Sequence, residues 1–105
     1  MTKFKKDSKD KVVKDMMGLV DPYWEEDLSK VLTYGAIKYK LNNWKNASLK
    51  DLRHYEDALF RHMNAYRRGY FYDHESNLSH LAHAGANLMF LHYFWRKYGW
   101  STNKI

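Results

Sequence analysis

Residues Asp73 to Leu91 read DHESNLSHLAHAGANLMFL. The spacing predicts a helix with His80, His83 and Asn87 on one face, since positions i, i+3 and i+7 stack along a single helical stripe. Two imidazoles and an amide in an otherwise apolar helix are costly to bury without partners. The plain reading is that a histidine on such a face is a satisfied core residue. Asp73 and Glu75 at the helix entrance tilt the balance towards a site, because a carboxylate pair followed by H-x-x-H offers oxygen and nitrogen ligands at short range. The motif is not the zincin H-E-x-x-H: Leu81 and Ala82 separate the histidines.

Ala82, Ala84, Gly85 and Ala86 make the first half of this helix narrow, so another backbone can come close. The helix is expected to start at a cap on Ser76 or Asn77, to run to about Tyr98 and to close at Gly99. A loop from Tyr70 to Asn77 joins it to a preceding helix. That helix opens at Ser48, with Asp51 three residues on as a capping box, and stops at Gly69 after Arg67 and Arg68. Leu52, Tyr55, Leu59, His62 or Met63, and Tyr66 form its apolar face. A first helix opens at Asp21-Pro22, carries Glu25, Glu26 and Asp27 in its first turn, and repeats Leu28, Val31, Leu32, Gly35 and Tyr39 at helical spacing. It is expected to end between Lys40 and Asn42. The segment before Asp21 is ambiguous, a short helix over Val12 to Val20 being one reading. No stretch alternates convincingly as a strand. The class is all-α: a small bundle of three to four helices, completed by oligomerisation, in which residues 1–20 form a basic N-terminal segment and 21–105 the helical domain.

A chain of 105 residues makes one small domain with a limited core. Aromatic residues are 17% of it, including nine Tyr and four Trp, more large amphipathic surface than three helices hide, so a homo-oligomer (dimer or tetramer) is expected. The absence of cysteine excludes disulfides and thiolate chemistry and suits a reducing cytoplasm. No apolar run approaches a membrane span, and the lysine-rich start lacks the apolar stretch of a signal peptide. The net charge of +6 points to an anionic partner. Lys3, Lys5, Lys6, Lys9, Lys11 and Lys14, interleaved with Asp7, Asp10 and Asp15, read as a solvated terminus rather than a nucleic-acid arm. Lys38, Lys40, Lys45, Arg53, Arg61, Arg67 and Arg68 lie in the folded part, where they can meet phosphates.

An antiparallel hairpin of the second and third helices would bring Asp57 and His62 towards His80 and His83. The pocket would hold Asp57, His62, Asp73, Glu75, His80 and His83, rimmed by Arg61. Its oxygens suit Mg²⁺ or Mn²⁺, while the imidazoles shift the preference towards Mn²⁺ or another transition metal. Water would attack a phosphate chain on such a metal, with a carboxylate or histidine as base and with Arg61 and Lys38 on the phosphates. Asp57 with Arg53 or Arg61 is equally an ordinary ion pair, and Lys38 an ordinary solvated lysine. Tyr39 and Trp44 offer faces for stacking a base and Asn43 can read a base edge, although Trp44 at a helix end also reads as a core plug. Tyr34, Tyr55 and Phe60 are read as core.

The stretches VLTYGAIKY, NNW, DALFRHMNAYRRG, DHES and HLAHAGANLMFL, in this order and spacing, resemble a phage and prophage family of dATP/dGTP diphosphohydrolases (MazZ-like). The resemblance spans Val31 to Leu91. That family is linked to all-α MazG-like nucleotide pyrophosphohydrolases, which bind Mg²⁺ through carboxylate helix motifs and cut between the α and β phosphates. The resemblance implies a purine (deoxy)nucleoside triphosphate as partner and a divalent cation as cofactor. It also places Lys38, Tyr39, Asn43, Trp44, Asp57, Arg61, His62, Asp73, Glu75, His80, His83 and Asn87 at family-motif positions. We assign Glu75 and His83 to catalysis. Lys38, Tyr39, Asn43, Trp44, Arg61 and Asn87 are assigned to substrate, and Asp57, His62, Asp73, Glu75, His80 and His83 to metal. HLAHA stands where a MazG-like protein carries its second carboxylate motif, so His80 and His83 replace carboxylates. Lys40 and Asn77 depart from glycine, and Tyr70 from glutamate. The alternative is a non-catalytic nucleotide- or nucleic-acid-binding phage protein. A purely structural helical oligomer with a buried polar network is the third reading.

Overall fold

Three helices form, as the periodicity of the sequence predicts. In this computed structural model, which describes residues 3–5 and 12–104, α1 spans Pro22–Lys38, α2 Leu49–Arg67 and α3 His80–Tyr98. Asp21 caps α1 by accepting the Tyr23 N–H at 3.1 Å, with Pro22 at the first helical position. At the head of α2, Asp51 Oδ2 accepts the Ser48 N–H at 2.9 Å and the Ser48 hydroxyl at 3.2 Å. The Ser48 N–H, followed by its hydroxyl, more than offsets burial and holds the Asp51 carboxyl below its usual range. Gly69 and Gly99, with φ of +94° and +68°, end α2 and α3.

Three boundaries differ from expectation. α1 ends at Lys38, with Tyr39 as its C-cap, and the chain turns through Asn42 at φ +57° into a short 3-10 turn, Asn43–Asn46. The third helix is capped by Ser79, whose hydroxyl accepts the Ala82 N–H, rather than by Ser76 or Asn77. Asn77 sits at φ +60°, which no helix can contain, and Ser76 is bound to Asp73. Asparagine tolerates this left-handed backbone better than most residues. Ahead of α1, no helix spans Val12 to Val20. Lys3–Lys5 (β1) and Val12–Lys14 (β2) pair antiparallel with Phe4 opposite Val13, and Met17–Leu19 form one 3-10 turn. The β-branched Val12-Val13 pair favours extended backbone. Lys6, Asp7, Lys9, Asp10 and Lys11 of the basic stretch lie outside the described residues.

α3 is the centre of the domain, and α1 and α2 both pack on it. Tyr55 meets Phe90, while His62 meets His80 and His83, so α2 and α3 run antiparallel. Val31, Ala82 and Ala86 form a buried cluster with Leu28, Leu32, Leu78 and Phe90 around it. At the other end Leu52 and Phe94 are fully buried, and Trp100 folds back to stack on Phe94 at 5.5 Å. Thr102 then ties the C-terminal turn to α2 through Glu56 at 2.7 Å. Phe60 is 63% exposed, contrary to the expectation that it belongs to the core: α2 turns that position away from α3.

The small-residue stretch of α3 does admit a close neighbour. A Cβ added at Gly85 would lie 2.6 Å from the Trp24 ring of α1. Gly85→Ala is therefore expected to destabilise the domain by about 1–3 kcal/mol through overpacking, with Trp24→Leu relieving part of the loss in the double variant. Urea unfolding of the two single variants and the double variant checks this.

Candidate functional site

The α2–α3 seam buries three imidazoles. His62 Nδ1 and His80 Nδ1 are 2.8 Å apart, so one donates and the other accepts. The His62 ring lies flat against the His83 ring, with centroids 4.5 Å apart and planes 8° from parallel. His83 Nε2 is 2.7 Å from Ser76 Oγ, and Asp73 Oδ2 accepts both the Ser76 N–H and the Ser76 hydroxyl at 2.9 Å. Ser76 has one hydroxyl proton, and the carboxylate takes it. His83 Nε2 must therefore donate to Ser76 Oγ, which leaves the Nδ1 lone pair of neutral His83 free. Asn87 is anchored one turn on, its Nδ2 donating to the His83 carbonyl at 2.9 Å, so its Oδ1 is the group left for other partners.

The electrostatics follow from this packing. Burial, with His83 and His80 beside it, pushes the His62 imidazole down to about 4. Burial likewise lowers His83, against the pull of Asp73. Burial alone would raise Asp73, but the two Ser76 hydrogen bonds together with His83 and His62 bring its carboxyl below the usual value. At neutral pH the seam thus holds His62 and His83 as neutral imidazoles beside the Asp73 carboxylate. His62, Asp73 and His80 each offer a ligand atom, all within 4.8 Å of one another, the one such group among the described residues. Two nitrogens at 2.8 Å are already near the separation of adjacent ligands that bond one cation at about 2.0–2.1 Å. The donor set fits a cation.

The cluster forms one end of a cleft of about 880 Å³ between α1 and α2, floored by α3. A volume of this size suits a nucleotide-sized ligand. Glu75, from the α2–α3 loop, reaches across to α1, accepting from Tyr34 Oη at 2.9 Å and pairing with Lys38. The Lys38 contact, then Tyr34, holds Glu75 below the usual carboxylate range, and Lys38 is raised by the same bond. Lys38, Lys40 and Arg61 make the lining basic, while Tyr39, Asn43, Trp44, Tyr55 and Phe90 line the remainder.

Most of the residues singled out in the sequence converge here: Lys38, Tyr39, Asn43, Trp44, Arg61, His62, Asp73, Glu75, His83 and Asn87 line the cleft, with His80 behind His62. Asp57 does not. It is exposed and outside both the cleft and the cluster, because five residues of helix separate it from His62 by about 140° of rotation. Glu75 stands apart from the imidazoles, tied to α1. Trp44 stacks on Phe90 at 4.8 Å and meets Tyr93 and Phe94 edge-on, so one of its faces is spent on the core. Tyr39, 61% exposed, keeps more of its ring open.

Two contributors escaped the sequence reading. Tyr34, expected in the core, instead holds Glu75, and its place one turn before Lys38 is the sequence signal for this. Ser76, taken as a cap, links Asp73 to His83, and Asp-x-x-Ser is a recognisable side-chain turn.

A three-helix all-α domain with a basic, aromatic cleft ending in an imidazole–carboxylate cluster is a candidate anion- and cation-binding domain. Residues 3–103 match the family described as dATP/dGTP diphosphohydrolase, N-terminal, and the chain belongs to that family. It is 35% identical over 79 residues to a dATP/dGTP diphosphohydrolase of Salmonella phage PMBT28. That match covers 75% of this chain and 26% of the relative, so the chain spans about a quarter of the length of the curated relative it matches. No solved structure matches the chain.

The buried imidazoles set an acid limit on stability. His62 binds its proton near pH 4 in the fold, against about 6.5 unfolded, so the unfolded chain takes up more protons across that interval. Stability is expected to fall as the pH drops from about 6.5 to 4, with Asp73 adding a further loss only below its unfolded value near 3.9. Thermal melts of the wild type and His62→Gln between pH 4 and 8 check this. The variant should show the flatter profile in the upper interval, and an equal slope would exclude His62 as the source.

Proposed function

We propose that this domain binds a purine deoxynucleoside triphosphate, dATP or dGTP, in the α1–α2 cleft and takes part in its hydrolysis to the monophosphate and pyrophosphate. The carrying observation is a single cavity joining a basic, aromatic lining to a cluster of imidazoles and one carboxylate. A base stacks on Tyr39 beside Trp44, with Asn43 and the Asn87 Oδ1 as polar contacts. Arg61 and Lys38 take phosphate oxygens, and Lys38 is oriented for this by Glu75.

A divalent cation, Mg²⁺ or Mn²⁺, is proposed as cofactor, carried in on the phosphate oxygens or held beside them by members of the histidine–carboxylate cluster. When bound it neutralises phosphate charge and polarises the phosphorus–oxygen bonds. The protein's own step is proton transfer. His83 Nδ1, freed by the Nε2–Ser76–Asp73 chain, takes a proton from the attacking water. The water oxygen bonds to the α-phosphorus, the bond to the α–β bridging oxygen breaks, and pyrophosphate departs with the electron pair. Glu75, kept ionised by Lys38 and Tyr34, holds the α1 side of the cleft in register.

The setting proposed is phage nucleotide metabolism in the host cytoplasm. No described helix is long and apolar enough to cross a membrane. Self-association is proposed as well, since Phe60, Leu88 and Trp95 expose more than half of their surfaces.

Incubation with a panel of ribo- and deoxynucleoside triphosphates plus Mg²⁺ or Mn²⁺, read by chromatography, tests the reading. Pyrophosphate release should favour purine deoxynucleotides, and His83→Ala and Glu75→Ala should each lower the rate about 10²-fold or more while melting near the wild type. Full activity in both variants removes this site from the reaction. Salt-sensitive nucleic-acid binding without pyrophosphate release would favour the binding-protein alternative.

A further inference from the structure

Six side chains offered themselves as cation ligands in the sequence, and their commitments in the fold sort them. Glu75 is tied to Lys38 and Tyr34, His83 has its Nε2 on Ser76 and its Nδ1 assigned to the attacking water, and Asp57 lies outside the cleft. His62, Asp73 and His80 remain. The two Nδ1 atoms face each other at 2.8 Å, and since only one proton fits between them, one lone pair already points into the gap. Asp73 commits Oδ2 to Ser76, which leaves Oδ1 for an ion.

Two imidazoles and one carboxylate are poor company for Mg²⁺, which takes oxygen ligands at near-octahedral geometry and gives up its water reluctantly. His80 is only 8% exposed, so an ion bonded there must shed water on that side. Imidazole nitrogen suits first-row transition metals, and three protein ligands leave positions open for exchangeable oxygens. We infer that His62, Asp73 and His80 form a resident site selective for a first-row transition metal ion over Mg²⁺. This deepens the proposed hydrolase by dividing the cations: the seam holds a transition metal, and any Mg²⁺ arrives on the triphosphate.

The test uses the whole chain without nucleotide, titrated separately with Zn²⁺, Co²⁺, Mn²⁺ and Mg²⁺ by calorimetry. Zn²⁺ and Co²⁺ should bind about 100-fold or more tightly than Mg²⁺, with Co²⁺ developing the visible absorption of nitrogen-ligated ions. His62→Gln and His80→Gln should abolish the preference. Because a buried substitution can disturb folding, histidine NMR of the wild type supplies a second readout. Zn²⁺ should move the His62 and His80 resonances and leave exposed His54, His74 and His92 in place. Mg²⁺ binding as tightly as Zn²⁺, or shifts confined to the exposed histidines, overturns the inference. Selective metal binding without nucleotide hydrolysis would uphold the site and remove the hydrolase reading, whereas pyrophosphate release by a wild-type chain that binds Zn²⁺ no more tightly than Mg²⁺ would do the reverse.

Discussion

Three imidazoles lie in the seam where α2 meets α3, and their need for partners governs the arrangement around them. An unpaired polar group there would cost about 1–3 kcal/mol, a large share of what so small a domain can spare. His62 and His80 satisfy each other across the seam. His83 has no such partner on α2 and turns to Ser76, so the connecting loop must deliver a hydroxyl to it. That demand explains the tight course of residues 71–80. The Asp73 N–H donates to the Leu78 carbonyl, the His80 N–H to that of Phe71, and Asn77 takes a left-handed conformation between them. The same loop sends Glu75 outward to Tyr34 and Lys38, so one turn serves both the buried cluster and the contact with α1.

The cleft is a consequence of using α3 as the common floor. α3 is narrow where α1 crosses it, at Ala82, Gly85 and Ala86, and broad where Phe90 and Phe94 meet Trp44. Two helices leaning on one floor leave an opening between them, closed at one end by the Asn43–Asn46 turn and at the other by the Asp73–Glu75 loop. Charge is divided along it. The imidazoles lie deep, and the permanent cations Lys38, Lys40 and Arg61 stay near water, where their desolvation cost is small.

Much of this was legible in the chain. The caps at Asp21 and Ser48, the stops at Gly69 and Gly99 and the His80–His83–Asn87 stripe depend on neighbours within one helical turn, so local spacing was enough to find them. The need for a narrow α3 was visible in Ala82, Ala84, Gly85 and Ala86, although the residue filling the space, Trp24, was not. Where the reading failed, a rotation or a loop was involved. Asp57 and Phe60 lie on the helix that carries His62, yet the facing angle of α2 turns both outward.

Periodicity and capping along single segments are enough to specify three helices, an all-α class and a helix face that could not be buried without polar partners. The tertiary structure alone decided which partners those were. Ser76 rather than a second carboxylate meets His83, Glu75 serves Lys38 and Tyr34, and His62 reaches His80. Spacing along a chain sets angles within one helix, but the rotation of one helix against another is fixed only when their side chains pack.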